Sequence, residues 1–524
     1  MLFNSLAFLI FLPIAFTLFW ITPGRQRWIV LLALSYYFYF SGNPAYVLLL
    51  LATSFVIWGA SVLIGKNQEN TRYKKAVFAS ALILCIGLLA FFKYYNFAAT
   101  SLAQFLSLFA IQIEPHLLKL MMPLGISFYT FQSAGYLIDV YNGKIEAEKN
   151  FARFALFVSF FPQIIAGPIG RGGDLLQQLK CDAKFDYDMA VTGLRMMLWG
   201  FFKKLIISDG LSKFVDRIYG DVHSYAGLTL IAVCLMYALQ IYCDFSGYSD
   251  IAIGTARLFG IRLTTNFRNP YFAGSIREFW GRWHISLSTW FRDYLYIPMG
   301  GNCGVKSKTL HHAGQTPDAV ALPFYVKRLR KYRNIMVTML VSGLWHGASW
   351  TFVIWGGLHG VYQVIEGLCR DFANIRAGRT EGSGGSAPKD AAESSGKRGA
   401  SRVLHVLLTF GLVTIAWIFF RADSVGDAFY VLTHLVRGLG ASPASLISGM
   451  MAALQITPFG ILKLLGAIAV LFAYDLYSEK HDIPAEFSKV KLPLRWAVYV
   501  GLTVLIIITK LHGGTTQSFI YFRF

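Results

Sequence analysis

Apolar stretches approaching the length of a bilayer crossing recur along almost the whole chain, and a sequence built that way has few places to fold other than a membrane. They occupy residues 1–20, 28–41, 45–65, 76–92, 97–113, 120–140, 151–169, 189–208, 226–242, 248–260, 335–368, 403–420, 451–474 and 496–509. In lipid every backbone polar group needs an internal partner, so the expected class is all-α: a polytopic helical bundle with about 11–12 membrane segments. Several runs fall short of the ~20 residues of a straight crossing or are broken by Gly or Pro, so some of them are expected to be re-entrant. Only 15% of the residues are charged, against roughly 25% in an average soluble domain.

The formal charge of +20 follows from basic residues gathering in cytoplasmic loops and says more about orientation than about a nucleic-acid partner, which is not expected. The N-terminal run has neither a charged leader nor a small-residue cleavage site and reads as a retained first helix. Placing Arg25 and Arg27 in the cytoplasm puts residues 28–41 and 45–65 in a hairpin whose tip, Ser41 to Pro44, faces outward. Residues 66–75, with four basic residues against one acid, then return to the cytoplasm as they should. The six cysteines show no CxxC spacing and read as packing residues. Residues 377–401 are rich in Gly, Ser and Ala with mixed charge and no aromatic residue, a flexible low-complexity cytoplasmic loop separating a membrane core at 1–376 from C-terminal helices at 402–524.

Ionisable residues are expensive in apolar surroundings, so chemistry is sought where they crowd into such sequence. In YCDFSGYSD, residues 242–250, Asp244 and Asp250 lie between two hydrophobic runs beside Ser246, Tyr248 and Ser249. Carboxylates in that pattern either cap a helix end or pair with an arginine, and the structural role is favoured over catalysis. In residues 275–298, Phe279, Trp283, Leu287 and Trp290 recur at helical spacing among Arg277, Arg282 and Arg292, describing a helix at the membrane interface. His284 is the only imidazole there and, from the residues alone, reads more readily as structural than as catalytic.

Residues 333–360 carry His346 and His359 in otherwise apolar sequence. Residues 303–333 upstream contain Lys306, Lys308, Lys327, Arg328, Arg330, Lys331 and Arg333 against one acid, and residues 376–402 downstream hold six basic residues against three acids, so both flanks read as cytoplasmic. Arms at 335–345 and 350–369 then make a hairpin that turns near Gly347 with His346 at its tip. At ~1.5 Å per residue the first arm reaches about half the hydrocarbon depth. An imidazole in that setting is costly as a cation and useful as a neutral base. His359 on the returning arm reads as packing. Zinc is not expected: His311 and His312 stand in a polar loop, and no HExxH or Cys-His spacing occurs.

These motifs give the sequence a close likeness to a known family. FLPIAFTLFW, FKYYNF (92–97), PLGISFYTFQSAGYLIDVY (123–141), FFPQIIAGPI (160–169), YCDFSGYSDIAIG (242–254), WHISLSTWFRDYLYIPMGGN (283–302), LWHGASW (344–350) and the terminal FIYFRF resemble the membrane-bound O-acyltransferases, and within them the bacterial alginate O-acetyltransferase branch. The basic loop at 303–330 and the insert at 377–401 depart from the pattern without removing a motif residue. The resemblance implies that His346 is the catalytic histidine and His284 the second polar residue of the site. It implies a tunnel that admits an acyl thioester, acetyl-CoA or another, from the cytoplasm with no bound cofactor, and an acceptor on the opposite side of the inner membrane. A periplasmic SGNH-type transferase or a polysaccharide is the acceptor partner so implied. The alternative within the family is the D-alanyl transfer protein of teichoic acid modification, and outside it a non-enzymatic polysaccharide exporter. Ser342, one helical turn before His346, is the rival nucleophile, though no GxSxG context surrounds it.

Overall fold

The computed structural model describes residues 1–42, 44–180, 182–301, 324–376, 395–511 and 519–520. His311, His312, Lys306, Lys308, Cys181, Cys303 and residues 377–394 of the low-complexity segment lie outside the described residues. Among those described, every regular element is helical. Six helices are long and apolar enough to cross a membrane. That is fewer than the apolar runs in the sequence, because runs merge or give way to buried non-helical chain. Residues 76–92 and 97–113 join in one 37-residue helix, Thr71–Ser107, since neither Pro nor Gly interrupts FKYYN and Lys93 is buried along it. Residues 151–169 do the opposite. Asn150 caps the helix Phe151–Ser159 by accepting from the Arg153 amide, after which residues 160–170 run on buried but non-helical.

The chain forms two compact units, Met1–Arg268 with Thr433–Phe524, and Asn269–Leu432. In the first, the N-terminal Leu6–Ile21 helix is followed by the Arg27–Phe40 and Val47–Lys66 pair, with a short Pro44–Tyr46 turn leading into the second. The Leu228–Leu258 helix is the core of this unit and is buried along most of its length, whereas no residue of Leu492–Leu511 is buried. Glycines allow that core helix to meet its neighbour. A Cβ on Gly193 would lie 2.7 Å from the Gly254 carbonyl, and one on Gly200 2.6 Å from that of Gly247. The two helices therefore touch backbone to backbone and antiparallel through glycines seven residues apart on each, the packing by which apolar helices associate without a hydrophobic driving force.

The same core helix corrects the reading of YCDFSGYSD. These residues are not a break between two runs but lie mid-helix, and their carboxylates cap nothing. Asp250 pairs with Lys203 at 2.6 Å. Asp244 pairs with Lys204, accepts from the Ser208 hydroxyl at 3.2 Å and from the Ile520 amide at 2.9 Å, while Lys204 also reaches Asp209 at 2.9 Å. Both lysines come from the π-helical stretch Phe202–Ser208 that packs on the core helix. The partners are lysines rather than arginine, and the role is pairing. Of the cysteines, Cys85, Cys234 and Cys243 are buried as packing residues, but Cys369 is exposed.

The second unit holds the helices Ile276–Arg282, Ile285–Phe291, Phe324–His346, Trp350–Arg376 and Ser395–Arg421. The last begins inside the segment that composition marks as linker. The hairpin expected around Gly347 is present, but its arms are 23 and 27 residues long, because the helix continues back through the basic run at 327–333. A Cβ on Gly343 would lie 2.3 Å from the Phe352 carbonyl and one on Gly356 2.3 Å from that of Met339, so the arms touch along their backbones. Arg328 at 3.3 Å and Tyr332 at 2.5 Å converge on Asp371 and clamp the far end of the hairpin.

Candidate active site

The stretch read as one interfacial helix over 275–298 is broken. Ser275 opens its first part by accepting from the Glu278 amide, and the Glu278 carboxylate accepts in turn from Gly274 at 2.8 Å, a reciprocal cap of the Ser-x-x-Glu type. The Ile276–Arg282 helix stops after two turns, and His284 takes a left-handed conformation, φ 44° and ψ 52°, before Ile285–Phe291 begins. A non-glycine residue is uncommon there and strain of that kind concentrates at functional sites, although His is among the residues that tolerate it best. The aromatic stripe does not face lipid: Phe279, Trp283, Leu287 and Trp290 are all buried.

The break turns the His284 ring inward, where it is fully buried and lies 6.3 Å from the His346 ring, centroid to centroid. His346 is the last residue of its helix, carried to the turn of the hairpin, and is 2% exposed. Trp345 at 5.0 Å, Trp355 at 4.9 Å and Phe420 at 5.4 Å wall its ring. The turn itself cannot be moved outward or enlarged, since a Cβ on Gly347 would fall 2.1 Å from the Phe352 ring. Burial pushes the His284 imidazole down to about 3, so it is neutral at neutral pH.

His359 is on the other side of Trp355, whose ring is 5.0 Å from it. Its Nδ1 accepts from the Trp280 indole N–H at 3.3 Å, and it stacks on Phe279 at 6.0 Å. That geometry makes His359 a neutral imidazole protonated on Nε2, held in aromatic packing. Trp417 and Phe420, from the Ser395–Arg421 helix, close the box behind Trp355 at 5.6 and 5.1 Å. Nothing local in that apolar run distinguishes them; the signal is the density of aromatic residues in AWIFF, which the spacing of a spanning helix hides.

A cavity of about 500 Å³ opens beside these rings. Its floor includes Ser342, one turn before His346, together with Trp280 and Ile285, the residue after His284. Arg277, Arg292 and Arg370 line it where it is exposed, with Lys331 half-buried near them and Glu366 as the carboxylate among these cations. The arrangement combines a predominantly cationic mouth with an apolar body, and it reaches the neighbours of the two imidazoles, Ile285 and Ser342, rather than the rings themselves. Among the described residues no group of three His, Cys, Asp or Glu side chains is placed to hold a metal ion.

Residues 146–315 match the model of MBOAT, the membrane-bound O-acyltransferase family. The chain is 33% identical to a protein named probable alginate O-acetylase AlgI of Azotobacter vinelandii over the full length of both. It is 36% identical to the protein of that name from Pseudomonas aeruginosa, over 82% of this chain and 74% of the other. A peptidoglycan O-acetyltransferase of Helicobacter pylori is 33% identical over 84% of this chain and 81% of its own.

Proposed function

The chain belongs to the membrane-bound O-acyltransferase family, and we propose that it moves acetyl groups from a cytoplasmic acyl thioester, acetyl-CoA in the simplest case, across the inner membrane for O-acetylation of an extracytoplasmic polysaccharide. That it is a multi-pass membrane acyltransferase follows from the family and the six apolar helices. The acetyl group and the glycan acceptor rest on relatives named for alginate and peptidoglycan acetylation. The observation that carries the mechanism is the pair of buried imidazoles next to a cation-lined cavity.

In this reading His346 is the general base. Its neutral ring takes the proton from an acceptor hydroxyl as that oxygen attacks the thioester carbonyl carbon. The C–S bond breaks as the tetrahedral intermediate collapses, and the same ring returns the proton to the departing thiolate. A ring N–H of His284 stabilises the developing oxyanion from a backbone position that cannot drift, because the left-handed turn and the Ile285–Phe291 helix hold it. Arg277, Arg292, Lys331 and Arg370 suit the phosphates of a coenzyme A donor, whose pantetheine arm can run along the apolar walls. A periplasmic SGNH-type transferase, or the polysaccharide itself, receives the acetyl group.

Replacing His346 with Asn keeps similar bulk and some hydrogen bonding while removing the base. Transfer of radiolabelled acetyl to the glycan fraction should fall by about 10²–10⁴ at normal accumulation of the protein. Release of D-alanine rather than acetate from the product glycan on mild base treatment would reassign the acyl group. Retained transfer would return Ser342 to consideration as the nucleophile.

A further inference from the structure

A second cavity, of about 430 Å³, lies wholly within the first unit, where the Gly24–Gln26 turn meets Arg153 and residues 178–180 and 182–183. Arg25, Arg27, Arg153 and Lys180 line it against a single carboxylate, Asp182. Lys180 is paired with Glu148 at 2.6 Å, which leaves three guanidiniums facing one acid. Two of these are fixed in place. Arg27 donates through Nε to the Thr22 carbonyl at 3.0 Å and through Nη1 to that of Ala183 at 2.5 Å, with its guanidinium 4.6 Å from the Trp20 ring centre. Arg153 lies 5.3 Å from the centre of the Trp28 ring, and its Nε is buried with no hydrogen-bond partner among the described residues. Arg25 is exposed at the rim and makes no ion pair among the described residues.

A guanidinium cluster with donor capacity left over is built for an oxyanion bearing several acceptors, and a phosphate meets that need better than a carboxylate. The surroundings say where the phosphate comes from. Ile10, Ile14, Leu18 and Ile21 are exposed at four-, four- and three-residue intervals, an apolar stripe along the Leu6–Ile21 helix, whose Phe19 lines the cavity. A stripe of that kind on a membrane protein faces acyl chains, and Trp20 and Trp28 beside the arginines are the residues expected at headgroup level. We propose that this cavity binds the phosphate of an anionic phospholipid, with Arg25 and Arg153 on the phosphate oxygens, Arg27 organising the wall and an acyl chain along the Ile10–Ile21 stripe. On the positive-inside orientation of the Arg25–Arg27 turn this is a lipid of the cytoplasmic leaflet. The site is independent of the imidazole pair and of the transferase reading.

Native mass spectrometry of the delipidated full chain, titrated with palmitoyl-oleoyl phosphatidylglycerol, palmitoyl-oleoyl phosphatidylethanolamine or inorganic diphosphate, tests the assignment. The glycerol lipid should bind at least about tenfold tighter than the ethanolamine lipid, and Arg25→Gln and Arg153→Gln should each weaken it about fivefold. Arg25→Glu, a surface change that touches no packing, carries the same test should the Arg153 variant fail to accumulate, and should abolish the preference. Equal binding of the two lipids, or an undiminished preference in Arg25→Glu, overturns the proposal. Arginine-dependent binding of diphosphate without binding of phosphatidylglycerol overturns the lipid source and leaves a soluble phosphate compound as the ligand.

Discussion

Two buried polar clusters occupy this molecule, and they solve the cost of burial in opposite ways. In the first unit, Lys203, Lys204 and Lys510 face Asp209, Asp244 and Asp250, and Asp244 also accepts from the Ser208 hydroxyl and the Ile520 amide. In the second, His284 and His346 lie among aromatic rings, and a cavity opens beside them. On the proposed function, the contrast separates a strut from a reactive site. Carboxylates held by buried lysines have little left to offer a substrate, whereas imidazoles at a helix end and at a left-handed turn are groups that can exchange a proton beside an open volume.

A graded set of substitutions probes that division. Lys204→Met should have the largest effect, on stability, because it leaves buried carboxylates uncompensated at a cost of about 3–5 kcal/mol. Its folded yield, read by fluorescence-detected size exclusion, should collapse. Adding Asp244→Asn should recover part of it, since Asn still accepts from the Ile520 amide. A Lys204→Met protein that folds normally but has lost transfer would make the ionic cluster part of the chemistry and erase the contrast.

His284→Asn should leave yield unchanged, because Asn tolerates the left-handed backbone, while transfer falls about 10²-fold through loss of an oxyanion donor. The same exchange at His359 should cost less activity. Gly356→Ala should then cost about 1–3 kcal/mol in thermal stability by forcing the hairpin arms apart, with Gly357→Ala, whose new Cβ meets only the Leu340 side chain at 3.6 Å, as the silent control. The smallest effect belongs to the cavity mouth. Arg370→Gln should raise KM for acetyl-CoA about fivefold at unchanged kcat, the signature of lost ground-state binding.

The turn of the hairpin around His346 is legible in the sequence from Trp-His-Gly, but the basic flanks do not mark its outer ends, because the helices run on through 327–333 and to Arg376. The placement of His284 was not legible. A left-handed residue that is neither Gly nor Asn leaves no breaker signal, so the aromatic spacing of residues 279–290 read as one continuous interfacial helix when it is two short buried ones. Asp244 and Asp250 misled for a different reason. Their partners come from Lys203 and Lys204, about 40 residues earlier, and without them two acids look like a gap in an apolar run rather than the middle of the Leu228–Leu258 helix. Trp417 and Phe420 were invisible as site residues because a spanning helix is apolar on every face, and only tertiary packing decides which rings meet His346.

The central claim, that His346 serves as the base while the ionic cluster serves as structure, comes down to one measurement. Acetyl transfer per folded molecule would be compared for wild type, His346→Asn and His346→Gln in membranes of matched protein content. The account predicts wild-type accumulation with transfer reduced at least about 10²-fold in both variants. Transfer within tenfold of wild type, at equal folded protein, would contradict it.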